Sequence, residues 1–175
     1  MPHTYFLLDV YVKDTIAYVA YTVNSTGGLR LINVSDPTNP VEIGSYVAGV
    51  NVNGVYVKDT IAYLAAKDGL HLINVSDPTN PVEIGFYYTG SIATSVYVED
   101  EIAYVANWVD GLRVINVSDP TNPVEVGFYD TGGNAVDVYV QDYLAYVADE
   151  DDGLYIIHYD ETGIIENPAI NAPSV

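Results

Sequence analysis

The string Asn-Val-Ser-Asp-Pro-Thr-Asn-Pro-Val-Glu occurs three times, at Asn33–Glu42, Asn74–Glu83 and Asn116–Glu125, at offsets of 41 and 42 residues. A second block, Val-Tyr-Val followed by a polar turn and Ala-Tyr, recurs around Tyr11, Tyr56, Tyr97 and Tyr139. It continues through Ala17-Tyr18, Ala62-Tyr63, Ala103-Tyr104 and Ala145-Tyr146. A third, Gly-Leu, falls at Gly28, Gly69, Gly111 and Gly153. The 175 residues are therefore four copies of one unit of about 42 residues.

Each unit reads as four short strands, rich in Val, Ile and Tyr and bounded by Asp, Gly and Pro turns. In the third copy they are Ser95–Glu99, Ile102–Ala106, Leu112–Val117 and Val124–Tyr129. No segment carries a helical apolar period. Leu112 and Val114 lie on one face, and Ile115 and Val117 follow with neighbouring parity, so both faces of this strand are apolar. A strand buried on both faces belongs to a sheet held between other sheets. Four-stranded sheets repeating every 40–45 residues or so and stacked face to face are β-propeller blades. The expected fold is all-β: a β-propeller of four four-stranded antiparallel blades. Small side chains at Ala17, Ala62, Ala103 and Ala145 would let blades approach closely. Hydrophobic residues make up 49% of the chain, ample for such a core.

The third-strand segments are Leu29-Arg30-Leu31-Ile32-Asn33-Val34, Leu70-His71-Leu72-Ile73-Asn74-Val75 and Leu112-Arg113-Val114-Ile115-Asn116-Val117. Each leads into Ser-Asp-Pro, and together they resemble the LVIVD repeat family. The resemblance implies a β-propeller, usually secreted or surface-attached in prokaryotes and often without an assigned activity. One feature departs from the family pattern. The Asp that usually follows Ile is Asn in three copies and His158 in the fourth.

The expected domain covers 4–166, with repeats at about 4–44, 45–85, 86–127 and 128–166 and a tail at 167–175. The first copy starts on its innermost strand. The fourth has Tyr155-Ile156-Ile157-His158-Tyr159 as its third strand, lacks the Ser-Asp-Pro turn, and offers Thr162–Glu166 as an outer strand stopped by Pro168. Three arrangements are open: closure as a four-bladed ring, two chains joined head to tail in an eight-bladed ring, or a part of a longer protein. An open arc would expose an apolar face at each end, and such faces drive association. Self-association or a second protein is the expected partnership.

Charge narrows the partners further. Five Lys and Arg against 24 Asp and Glu leave a net charge of −19. Phosphate backbones and anionic membrane surfaces repel such a chain unless its cations cluster, and Lys13, Arg30, Lys58, Lys67 and Arg113 are scattered. Neither nucleic acid nor direct membrane insertion is expected. The absence of Cys removes disulfides, thiolate metal sites and cysteine nucleophiles. No run approaches the roughly 18 apolar residues of a membrane span, and the N-terminal run is too short for a signal peptide. With the surface location implied by the resemblance, that makes a missing export signal the alternative to an internal protein.

Most candidate chemistry repeats with the unit and so reads as structure. Asp14, Asp59, Asp100 and Asp142 occupy first-to-second-strand turns, and Asp36, Asp77 and Asp119 precede Pro. The run Asp149-Glu150-Asp151-Asp152 occurs once. Asp149, Asp151 and Asp152 are candidate calcium ligands, although the spaced pattern of an EF-hand loop is missing and a solvated acidic loop is the simpler reading. No other cofactor is expected. Asn24, in the long loop 21–27, is the candidate glycosylation acceptor, whereas Asn33, Asn74 and Asn116 are expected to bond the following turn. His3, His71 and His158 do not cluster, and no serine has a nucleophile setting.

One edge of the ring varies between copies. Its loops hold Tyr87, Tyr88, Trp108 and Tyr129, which are the candidate binding residues. The leading expectation is a non-enzymatic module for protein interaction or assembly at the cell surface or outside the cell. The alternative is a ligand, glycan, hydrolase or lyase site in the central channel, using the non-repeating Asp9 and Asp137 as acid and base.

Overall fold

The computed structural model describes the backbone of residues 5–160 and 163–170, and side chains from 6 to 160. The first sheet holds β1 (Tyr5–Lys13), β2 (Ile16–Val23), β3 (Thr26–Asn33) and β4 (Val41–Val47). The second holds β5 (Val52–Lys58), β6 (Ile61–Ala66), β7 (Gly69–Asn74) and β8 (Val82–Tyr87). The third holds β9 (Ser95–Glu99), β10 (Ile102–Ala106), β11 (Leu112–Asn116) and β12 (Val124–Tyr129). The fourth holds β13 (Ala135–Gln141), β14 (Leu144–Asp149), β15 (Gly153–Asp160) and β16 (Gly163–Ile170). Every sheet is an antiparallel meander in chain order, which is the expected blade.

The repeated polar residues make the turns. Asp14, Asp59, Asp100 and Asp142 all sit at φ between 48° and 54°, a left-handed conformation that Asp tolerates better than most residues. At the other end of each blade, Asn33, Asn74 and Asn116 accept the backbone N–H of Ser35, Ser76 and Ser118 at 2.9 Å. Asp36, Asp77 and Asp119 accept both the N–H and the hydroxyl of Thr38, Thr79 and Thr121.

The core lies between blades rather than inside any one of them. The leading face of the first blade (Tyr18, Ala20, Leu29, Leu31) packs on the trailing face of the second (Val55, Val57, Ala62, Leu64, Ile73). The same pairing recurs with Tyr63, Ala65, Leu70 and Leu72 against Val96, Val98, Ala103, Val105 and Ile115. It recurs again with Tyr104, Ala106, Leu112 and Val114 against Val138, Val140, Ala145, Val147 and Ile157. Ala62, Ala103 and Ala145 are fully buried in these seams, the close approach their size suggests. Among the described residues no such cluster joins the fourth blade to the first, and the sheets do not close into a ring.

Three local expectations differ in detail. The 21–27 stretch is a hairpin instead of a long loop, with β2 and β3 joined by a tight turn at Asn24 and Ser25, both at positive φ. Such turns match the twist of paired strands. The fourth blade's outer strand runs through Pro168 to Ile170, with a register shift between Leu154 and Ile156. An edge strand tolerates proline because nothing further needs its missing N–H. The expected domain limits at Thr4 and the tail residues 171–175 lie outside the described residues.

Candidate functional site

The loop edge is stitched together by backbone and side-chain hydrogen bonds. Asn107 is fully buried, and its Nδ2 donates to the Thr89 carbonyl at 2.9 Å, tying the β10–β11 loop to the β8–β9 loop. The Trp108 carbonyl accepts the N–H of Ala135 at 2.9 Å, which ties in the β12–β13 loop. The Thr94 hydroxyl lies 3.0 Å and 2.9 Å from the carbonyls of Ala106 and Ala135. Trp108 itself is held at a φ of 46°. For a bulky side chain that conformation is uncommon and costs about 1–2 kcal/mol, offset here by its backbone partners.

The four aromatic candidates separate into two kinds. Tyr88 is exposed and Trp108 half-buried, and Ile92 and Val109 in the same tied loops are exposed. Tyr87 and Tyr129 are half-buried in the seams between blades. The Tyr87 hydroxyl donates to Glu125 on the next blade at 3.2 Å, and Tyr46 does the same to Glu83 at 2.7 Å. Tyr129 packs on Tyr155 with ring centroids 5.9 Å apart. Ile92 and Val109 escaped the sequence reading, although both stand in the loops that do not repeat.

The acidic run does not gather into one cluster. Asp149 is buried and accepts the Thr131 hydroxyl and the N–H groups of Asp151 and Asp152 at 3.0 Å. It ties its loop to the preceding interblade loop much as Asn107 does one blade earlier. Asp151 accepts Asn134 Nδ2 at 3.0 Å, and Asp152 is exposed. Among the described residues no group of three or more acidic or histidine side chains is placed to hold a metal ion. Asn24 is exposed at the tip of the β2–β3 hairpin.

The inner strands run side by side in the order β1, β5, β9, β13. Tyr11, Tyr56, Tyr97 and Tyr139 stack along them with ring centroids 4.9, 4.7 and 5.2 Å apart. Asp9 and Asp137 stand at opposite ends of this row, with Gly54 and Ser95 between them in the same column. Asp9 Oδ2 accepts the N–H of Val55 in the second blade at 2.9 Å, and Asp137 Oδ1 accepts the Ser95 hydroxyl at 2.7 Å. The two carboxylates thus serve separate interblade contacts.

On the Asp-turn edge, turns of the second, third and fourth blades surround a cavity of about 930 Å³ lined by Lys58, Asp100, Glu101, Tyr143 and His158. It opens where His158-Tyr159-Asp160 replaces the Asn-Val-Ser turn of the other blades. Lys58 Nζ donates to the Asp100 carbonyl at 2.6 Å, and the Tyr143 hydroxyl donates to Asp100 Oδ2 at 2.7 Å. The divergence of the fourth copy was the available sequence signal for this cavity.

The sequence profile of the LVIVD repeat matches residues 8–48, 49–89, 90–131 and 132–158. The chain belongs to the LVIVD repeat family. No curated protein matches it. The first three LVIVD segments end in the interblade loops before β5, β9 and β13, so each corresponds to a blade. The fourth ends at His158, where the Ser-Asp-Pro turn is missing. Asn33, Asn74 and Asn116 need only an amide oxygen for their turns, so replacing the family's carboxylate leaves the blade intact.

Proposed function

We propose that this chain is a non-enzymatic interaction module, working at the cell surface or outside the cell, which takes a protein partner on the loop edge around Trp108. The observation that carries the reading is Trp108 itself: a bulky side chain at positive φ in a set of three tied loops that also carry exposed Tyr88, Ile92 and Val109. Backbone strain held in place by its surroundings is a pointer to function. Apolar side chains on a rigid loop layer make a contact patch. The β10–β11, β12–β13 and β14–β15 loops carry Asp110, Asp130, Glu150, Asp151 and Asp152. With a net charge of −19, the complementary partner is a protein with an apolar contact patch and a basic rim. Support for a non-enzymatic role comes from Asp9 and Asp137, each engaged in a separate interblade contact.

The test uses the single Trp as reporter. Cell-surface proteins retained by the immobilised chain are identified, and their binding is followed by Trp108 emission and by calorimetry. Tyr88→Ala and Trp108→Ala should each weaken binding by about tenfold or more while leaving the circular dichroism unchanged. Equal affinity for wild type and both variants overturns the placement. Recovery of the native protein only from the cytoplasm overturns the location.

A further inference from the structure

We propose that the two blade faces left open among the described residues are the halves of a fourth blade-to-blade interface, and that a second copy of this chain occupies both, giving a two-chain, eight-bladed ring. The trailing face of the first blade carries the same residues as the trailing faces buried elsewhere; Ala17 and Val19 at its middle are 7% exposed, and it is the inner strand that lies open. Val10 and Val12 are 57% and 58% exposed, while their equivalents Val55, Val57, Val96, Val98, Val138 and Val140 are at most 6% exposed. Ile32 is half-buried where Ile73, Ile115 and Ile157 are buried. The leading face of the fourth blade shows the converse: Tyr146, Ala148, Leu154 and Ile156 are half-buried, whereas Tyr104, Ala106, Leu112 and Val114 are fully buried. Each face therefore matches one side of an interface that the chain already makes three times.

The polar contacts of the seams also stop halfway at these ends. Asp9 binds its own Val10 N–H through Oδ1 and the next blade's Val55 N–H through Oδ2. Asp137 repeats the first bond to Val138, and its Oδ2 has no partner among the described residues. Lys13 and Lys58 each donate from the end of an inner strand to the turn carbonyl of Asp59 or Asp100 in the next blade. Glu99 holds that position in the third blade and accepts the Tyr143 N–H instead, while Gln141, with an amide donor, holds it in the fourth. The tyrosine row likewise ends at Tyr139, 54% exposed, with Tyr11 as its next member in a continued row.

The contact is head to tail, because the two faces differ. Such contacts form rings when the rotation closes and filaments when it does not. Two copies related by a two-fold axis make two equal junctions and leave no face uncovered. This inference is independent of the partner site around Trp108.

The experiment measures absolute mass by light scattering after size exclusion over a range of concentrations. The wild type is expected at about 38 kDa, twice the chain's 19.0 kDa. Val10→Asp/Val12→Asp, at positions exposed in the single chain, should give a folded 19.0 kDa species. Ile156→Asp should do the same from the other face. An equimolar mixture of the two variants should recover the dimer, since one good junction remains between unlike chains. A wild type that stays at 19.0 kDa, or that grows into open-ended polymers, overturns the two-chain ring. So does a dimer that survives both variants, or folded variants that fail to complement one another.

Discussion

Truncating one column of valines measures what a neighbouring blade is worth. Val10, Val55, Val96 and Val138 occupy the same place in four copies, with exposures of 57%, 4%, 6% and 4%. Val→Ala removes two methyl groups, or about 1.6 kcal/mol of transfer free energy at ~0.8 kcal/mol per carbon. A residual cavity raises this to about 2 kcal/mol at the three buried sites. For a domain of this length that lowers the melting temperature by about 4–8 °C. At Val10 more than half the side chain already meets water, so the loss in an isolated chain is about 0.5 kcal/mol. Urea unfolding followed by Trp108 emission, at dilutions where the chain is monomeric, compares all four variants in one fold. If Val10→Ala costs as much as Val96→Ala in the monomer, something within the chain covers the first blade and the open-face reasoning is refuted. If Val96→Ala costs nothing, the seams do not hold the blades together.

Gly85 has no room for a side chain, since a Cβ there would collide with the Pro120 carbonyl of the next blade. Gly85→Ala should destabilise by about 1–3 kcal/mol, and Gly49→Ala, in open space at a φ of 79°, by about 1 kcal/mol; the reverse order of urea midpoints would refute this. Asn107→Ala leaves the buried Thr89 carbonyl without its donor and should cost about 1–3 kcal/mol. Faster amide exchange in the two tied loops should accompany it, and unchanged exchange would deny the tie. Asp36, Asp77 and Asp119 are held below the usual carboxylate value, first by the hydroxyl and then by the N–H of Thr38, Thr79 and Thr121. Their contribution to stability is present in full above the unfolded value and is lost as pH falls through the lowered folded value. Carboxyl-carbon NMR should show the three lowered midpoints rising toward normal when the threonines are replaced by valine.

The blade was legible because its turns are chemical necessities repeated in series. Asp at a left-handed corner, Asn and Asp collecting N–H groups, and Ala where sheets touch each mean one thing locally, and every copy says it again. Strand limits in the third copy came out within one residue, the difference being Val117 at the end of β11. Closure was not legible for an equally physical reason. Val10-Tyr11-Val12 and Val55-Tyr56-Val57 are the same string, yet one lies on an uncovered face and the other in a seam. Burial belongs to the neighbour as much as to the residue, and the sequence of one strand does not say whether a neighbour is there.

Repetition is also the sharper guide to the candidate site. Tyr87 and Tyr129 stand in one column with Tyr46, and the acceptors Glu83 and Glu125 recur with them. By the logic that makes the recurrent aspartates structural, these tyrosines belong to the seams, where the structure places them. Tyr88 and Trp108 have no counterparts in the other copies. Their loops differ in length between blades, so the equivalence of Asn107 with Asp149 emerges only when each is seen tying its loop to the preceding one. A stacked repeat fixes any residue that a neighbouring blade must match, twice over in the interior. Freedom to acquire a binding role remains in the loop residues that no neighbour has to match. Trp108 has that freedom and is nevertheless held by three loops at a positive φ, which is the reason to begin the search for a partner there.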